Sequence, residues 1–323
     1  MRRDYILEAM TKTVLMLTLI ALTAALGAAQ TPPVVTTQTT NYVVGDGPEA
    51  VTIDGGSIWV ANQFGNTVMK MRARDGIMLK TVSVGTRPVA MAFDGLYVWV
   101  ANLMSNNLTR VRSTDGVIAG TYTVGDGPGG LLFDGANLWV ANRNAGTVMK
   151  LRPSDGVILG TYEVGQRPMS MAFDGESIWV TNNLDNSVSR LRASDGALLA
   201  TIPVDDGPFG IAYDGANLWV TNFFGKSLIK LARSNGAQLA RFAVSDGPTG
   251  VMVAGGFVWV VSNGTRALLK VNPATGAIAK TFAVEASPYG LVYDSVNGNI
   301  WVADADSDKV SRVARENATT NIP

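Results

Sequence analysis

The side chains on which this chain can build chemistry are carboxylates, guanidinium and ammonium groups, hydroxyls and aromatic rings, because its 323 residues include no histidine and no cysteine. An imidazole general base, a thiolate nucleophile, a disulfide and the His- or Cys-ligated centres of zinc, copper and haem are therefore excluded. Oxygen ligands remain. Glu49, Glu285 and the nearby Asp206 and Asp246 are candidates to hold one divalent cation such as Ca or Mg, which activates water without imidazole. A hydrolase or lyase of that kind requires three such oxygens to converge on one point at about 2.0 to 2.6 Å. The other available chemistry is recognition without reaction and without a cofactor. Its candidates are the apolar loop residues Phe64, Leu103, Met104, Met169, Leu184, Phe209, Phe223, Phe224 and Tyr289, with the cations Arg87, Arg143 and Arg167.

An internal repeat sets these residues apart. A valine returns every 40 residues as Val44, Val84, Val124, Val164, Val204, Val244 and Val284, which makes seven copies of one unit. Inside a copy, a run at 168–173 ends at Asp174-Gly175, a dipeptide that favours tight turns between antiparallel strands. A second run at 178–181 stops at Asn182, a third at 187–192 stops at Asp195-Gly196, and a fourth covers 198–204. Four short antiparallel strands repeating at about 40 residues match the blade of a β-propeller, so the sequence predicts an all-β, seven-bladed ring. The chain ends predict its closure. The seventh copy stops after its third strand, at 309–313, while the run starting at Asn41-Tyr42-Val43 is a fourth strand orphaned ahead of the first copy. It completes the last blade and removes sheet edges that invite aggregation.

Residues that every copy keeps serve the blade. Trp59, Trp99, Trp139, Trp179, Trp219, Trp259 and Trp301 take one strand position per copy and read as core between blades. Lys70, Arg110, Lys150, Arg190, Lys230, Lys270 and Arg312 recur in the third strand, where each is expected between blades, satisfying carbonyls or a carboxylate. A small residue two places past the repeat proline, as at Gly130, Gly210 and Gly250, fits strands crowding an axis. Positions that change in every copy are free of these duties. They are the residue after the proline and the loop after the second-strand Asn, and propeller geometry puts both on one face, around the channel mouth.

Composition agrees with this reading. Charged residues are 16% of the chain, against roughly 25% in ordinary soluble proteins, so most strands bury both faces. The 26 basic and 26 acidic residues cancel, and no global field favours nucleic acid or an anionic membrane. Residues 1–29 read as a signal peptide: an apolar run at 14–26 follows Lys12 and precedes Gly27-Ala28-Ala29, small residues suited to cleavage. The mature chain then starts near Gln30, is exported to a periplasm or beyond, and keeps no membrane span. Residues 30–40 read as an exposed linker, 41–316 as the propeller and 317–323 as a tail.

The segments Ile178-Trp179-Val180-Thr181-Asn182 and Leu218-Trp219-Val220-Thr221-Asn222, each followed by a third strand and a TIPVG-like fourth, resemble the YVTN-type (YncE-like) propeller repeat, over nearly all of the mature chain. NHL-repeat and virginiamycin B lyase-type propellers are more distant likenesses. The resemblance implies exported seven-bladed propellers in binding, sensing and cell-surface roles, often non-catalytic. The lyase type depends on a catalytic histidine, and this chain has none. The expectation is a monomeric, non-catalytic module that binds a protein, peptide or glycan through its channel-mouth loops. The alternatives are the metal-dependent hydrolase or lyase above and a structural cell-surface protein.

Overall fold

The computed structural model describes residues 35–36 and 39–314; the leader expected at 1–29 and the tail expected at 317–323 lie outside the described residues. Seven sheets form the blades, each built on four antiparallel strands, and one of them gains a fifth strand. The fourth blade runs Pro168–Phe173, Ser177–Asn182, Ser187–Arg192 and Leu198–Pro203, within a residue of the strands the sequence predicts. The first strand of every blade touches the first strand of the next, and that of the seventh touches that of the first, so the ring is closed around a channel. Closure is by the expected pairing. Thr39–Val43 lies antiparallel on Lys309–Val313, in the register Thr39 to Val313 and Val43 to Lys309. That strand begins two residues earlier than Asn41, and Val35–Thr36 runs parallel to the outer strand of blade six, Ile278–Ala283, so part of the expected linker belongs to the sheets.

The core lies between sheets because both faces of a blade are apolar. One cluster joins Trp139 and Val148 of blade three to Met171, Ile178, Val180 and Leu191 of blade four. Second strands such as Ser177–Asn182 are buried along their whole length, whereas the outer Leu198–Pro203 is mostly exposed. Six of the seven tryptophans are fully buried, and truncating one to Ala costs about 3 to 5 kcal/mol. Each indole also needs a partner for its N–H. In blades one to five the Asp of the Asp-Gly turn supplies it: Oδ2 of Asp134 accepts from Trp139 Nε1 at 2.7 Å, while its Oδ1 accepts the backbone N–H of Ala136 and Asn137. One carboxylate thus fixes a turn and the core residue five positions later.

The third-strand cations join neighbouring blades as expected. Lys70 donates to the carbonyl of Ser113, Arg110 to that of Pro153 at 2.8 Å, Lys150 to that of Ala193 at 2.7 Å, and Arg312 to that of Arg74 across the closure. Each crosses the face of a tryptophan on the way, as Lys150 does over Trp139. The small residues of the first strands are required too. A Cβ on Gly130 would stand 2.3 Å from the carbonyl oxygen of Met169 in the next blade.

In blades one to five the second strand ends in a buried Asn whose amide donates to the third strand, as Asn182 does to Ser187 and Ser189 at 3.0 and 2.9 Å. Blade seven has Asp304 there, accepting from Ser311 at 2.6 Å, with its Oδ1 unpartnered among the described residues. Burial, with the nearby Glu285 charge adding to it, raises this carboxyl from 3.8 to about 7.

Two outcomes follow from these contacts. Asp134→Ala lowers stability by about 2 to 3 kcal/mol, since it strands a buried indole N–H and a turn, whereas Asp134→Asn keeps an acceptor and costs less; denaturant midpoints of the two variants check this. For Asp304, the native chain binds more protons than the unfolded chain between the two pKa values, so its contribution to stability is full below about 4 and is lost as pH rises to about 7. Asp304→Asn, which restores the residue of other blades, removes that slope and raises stability at pH 8 by roughly 2 to 4 kcal/mol, measured as midpoints at pH 5 and 8.

Candidate functional site

The site is built from two positions per blade. The first is the turn ahead of the repeat proline, where the backbone adopts positive φ in every blade: Gly47, Arg87, Gly127, Arg167, Gly207, Gly247 and Ser287, with φ between 54° and 67°. Glycine takes this conformation freely, whereas a residue with a Cβ pays about 1 kcal/mol or more. Arg87 and Arg167 are therefore held in place against a local preference. The second position is the residue after the second strand, which in blades one, three and seven is Gln63, Arg143 and Ala305.

These positions, with the residues after the prolines, enclose a cavity of about 290 Å³ at the channel mouth. Phe64, Arg87, Arg143, Arg167, Met169, Phe209 and Tyr289 all line it, and so does Glu49. Below, a space of about 210 Å³ in the channel shares Glu49, Arg143, Met169, Phe209 and Tyr289 with it. The Phe209 and Tyr289 rings lie 6.2 Å apart and form one wall. Arg143 is mostly buried; its Nη2 donates to the Gly129 carbonyl at 3.1 Å and lies 3.7 Å from Glu49 Oε1. Gly129 makes room for it, since a Cβ there would stand 1.9 Å from Arg143 Nε. Arg87 Nε donates to Gln63 Oε1 at 3.2 Å.

The charges in this space perturb one another. Burial raises Glu49 above the usual carboxylate range, opposed by Arg143 and Arg87. Burial lowers Arg143; Glu49 counteracts this, and the charges of Arg167 and Arg87 add to it. Burial and then the Glu49 and Asp306 charges raise Tyr289. Three guanidinium groups therefore face two carboxylates, Glu49 and Asp306, and Asp306 accepts a hydrogen bond from Ser287.

Five of the sequence candidates lie elsewhere. Leu103 is half-buried, and Met104, Leu184 and Phe224 are exposed on the rim. Phe223 meets Phe224 edge to face at 5.1 Å and packs toward Gly247 of the next blade, so the expected aromatic sector divides, Phe209 going to the channel and this pair to the rim. Gln63, Ala305 and Asp306 also line the mouth but were not among the candidates. Their signal was the position itself, since the first residue after the second strand aims inward at Gln63, Arg143 and Ala305.

The four carboxylates proposed as metal ligands do not assemble. Glu49 faces Arg143, Asp246 pairs with Lys226 at 3.1 Å, Glu285 pairs with Lys309 at 2.9 Å, and Asp206 is exposed. Among the described residues no three Asp or Glu side chains come together as a metal site. The hydrolase alternative thus loses the convergence it required, because the loops bring a cation to three of the four carboxylates. No helix among the described residues is long and apolar enough to cross a membrane.

No protein-family profile matches the chain, and neither does any curated protein sequence. Similar solved structures are numerous. Virginiamycin B lyase from Staphylococcus aureus is 20% identical with a TM-score of 0.75, over 86% of this chain and 99% of that one. Hydrazine synthase of Kuenenia stuttgartiensis is 16% identical with a TM-score of 0.76, over 90% and 99%. The protein U3-55K is 11% identical with a TM-score of 0.77, over 88% and 100%. A lyase, a synthase and U3-55K share this ring, so the likeness is one of fold, and the fold alone names no activity.

Proposed function

We propose that the chain is an exported, monomeric binding propeller of the YVTN type, which captures a protein, peptide or glycan at its channel mouth without catalysing a reaction. The observation that carries this reading is the convergence of Phe64, Arg87, Arg143, Arg167, Met169, Phe209 and Tyr289 on one cavity of about 290 Å³. Repeat copies differ at these positions, and an apolar wall with a few placed polar groups is the usual makeup of a ligand site. Lyase activity is not carried over from the structural neighbours. A histidine-to-alanine variant of the staphylococcal lyase is described as catalytically inactive, and this chain contains no histidine.

Two experiments test the proposal. Full-length chain produced in a bacterial host should be processed and recovered outside the cytoplasm with an N-terminus near Gln30; an unprocessed cytoplasmic product would remove export. The purified protein, panned against displayed peptides and arrayed glycans, should yield a binder whose affinity falls at least tenfold in Phe209→Ala. The rim double variant Phe223→Ala and Phe224→Ala should lose less, since both rings lie outside the cavity. If every binder is indifferent to Phe209, the mouth is not the site.

A further inference from the structure

The cations of the mouth are not equivalent. Arg143 faces Glu49 and donates to the Gly129 carbonyl, so it is occupied within the wall. Arg87 donates through Nε to Gln63. The side chain of Arg167 makes no hydrogen bond or ion pair among the described residues. Arg87 and Arg167 belong to blades two and four, on either side of the blade that carries Arg143, and both are exposed above the cavity. Both sit at positive φ, at a position where four of the seven blades have glycine. Backbone held against preference, with its side chain aimed at a cavity, points from structure to function.

We infer that the mouth takes a monoanion, a carboxylate joined to an apolar or aromatic body. This rests on the reading that the mouth is the binding site and names the chemistry of its ligand. Arg87 and Arg167 receive the carboxylate, whose two oxygens match the guanidinium fork. The body lies against Met169, Phe209 and Tyr289, below which Glu49 and Arg143 close the floor. Charge decides between anions. Three arginines against Glu49 and Asp306 leave one positive charge, which one carboxylate neutralises and a phosphate dianion exceeds. Shape agrees, because inorganic phosphate has nothing to set against Phe209 and Tyr289, and a neutral glycan leaves the two exposed guanidinium groups unpaired. A volume near 290 Å³ is at the lower end for ligand cavities, so it admits one small acid or the last residue of a peptide.

The test is calorimetric titration of the intact protein with 3-phenylpropanoate, 3-phenylpropanamide, inorganic phosphate, and a tetrapeptide ending in phenylalanine as its free acid and as its amide. At least one of the two acids should bind at least tenfold more tightly than its amide and than phosphate. Arg167→Gly and Arg87→Gly, which install the residue of other blades, should keep or raise the thermal midpoint. Each should also weaken the acid at least fivefold while leaving the amide unchanged. Tighter binding of the peptide acid than of phenylpropanoate identifies a peptide terminus as the source, and the reverse identifies a free small acid. Equal affinity for acid and amide, equal affinity for phosphate, or arginine variants that bind the acid as before would overturn the inference. Where the amides bind and Phe209→Ala abolishes that binding, the mouth remains a binding site and only the carboxylate assignment fails. Where no probe binds, the carboxylate assignment fails, and the panning result decides the wider reading.

Discussion

The pairing of Thr39–Val43 with Lys309–Val313 is the constraint on which the rest of the structure depends. A blade of four strands has two apolar faces and cannot bury either alone, so each sheet is stable only between two neighbours. Closing the ring supplies the last neighbour and joins strands some 270 residues apart, as the hydrogen bond from Ser311 to Asn41 illustrates. The channel mouth inherits its geometry from that closure. Glu49 of blade one, Arg143 of blade three and Tyr289 of blade seven line one cavity only because blade seven is held against blade one.

The repeat made the fold legible, while the site was legible only in part. Strand positions followed from period, Asp-Gly turns and short apolar runs, and the small residue at Gly130 followed from the crowding that its neighbour's carbonyl imposes. The second duty of the turn Asp did not follow. Its bond to a tryptophan five residues later depends on the register that brings indole N–H back over the turn, which no dipeptide signal contains. At the mouth, variation between copies found the right columns of residues but not which members of a column border the cavity. Phe64 and Phe224 are equivalent, both exposed and both packed on the turn glycine of their own blade, yet only Phe64 borders the cavity. Carboxylates were misread as a set because sequence shows their number and spacing, and not the Lys226 and Lys309 ammonium groups that each meets across a loop.

The seam between blades six and seven shows what happens where the repeat's devices lapse. Blade six has Ala254 in place of the turn Asp, and Trp259 donates instead to the Ala254 carbonyl at 3.0 Å. Blade seven draws its outer strand from Thr39–Val43, so no turn joins its third strand to an outer one. In blades two to five and in blade one that turn provides the carbonyl for the preceding blade's cation. Here Trp259 is the one tryptophan only half-buried, and it borders a cleft of about 310 Å³ with Phe257, Phe282 and Tyr293. The exposure of Trp259 thus coincides with the one blade junction at which no third-to-fourth-strand turn follows.

A ring of seven equal blades offers seven equal surfaces, and recognition of one asymmetric ligand requires that the equality be broken. The departures that break it share a physical character: each gives up something the repeat provides locally. Arg87 and Arg167 give up the backbone ease of glycine, Gly129 gives up a side chain to admit Arg143, and Asp304 gives up a neutral amide for a buried carboxyl. Three of these four face the mouth cavity or clear space for a group that does, while Asp304 is buried at the end of its second strand; in the blade cores Trp, Asp and the third-strand cation recur with few exceptions. Residues with a Cβ also take positive φ ahead of the third strands, as at Lys226 and Arg266, so what marks a binding face at Arg87 and Arg167 is that cost joined to a side chain that lines the cavity.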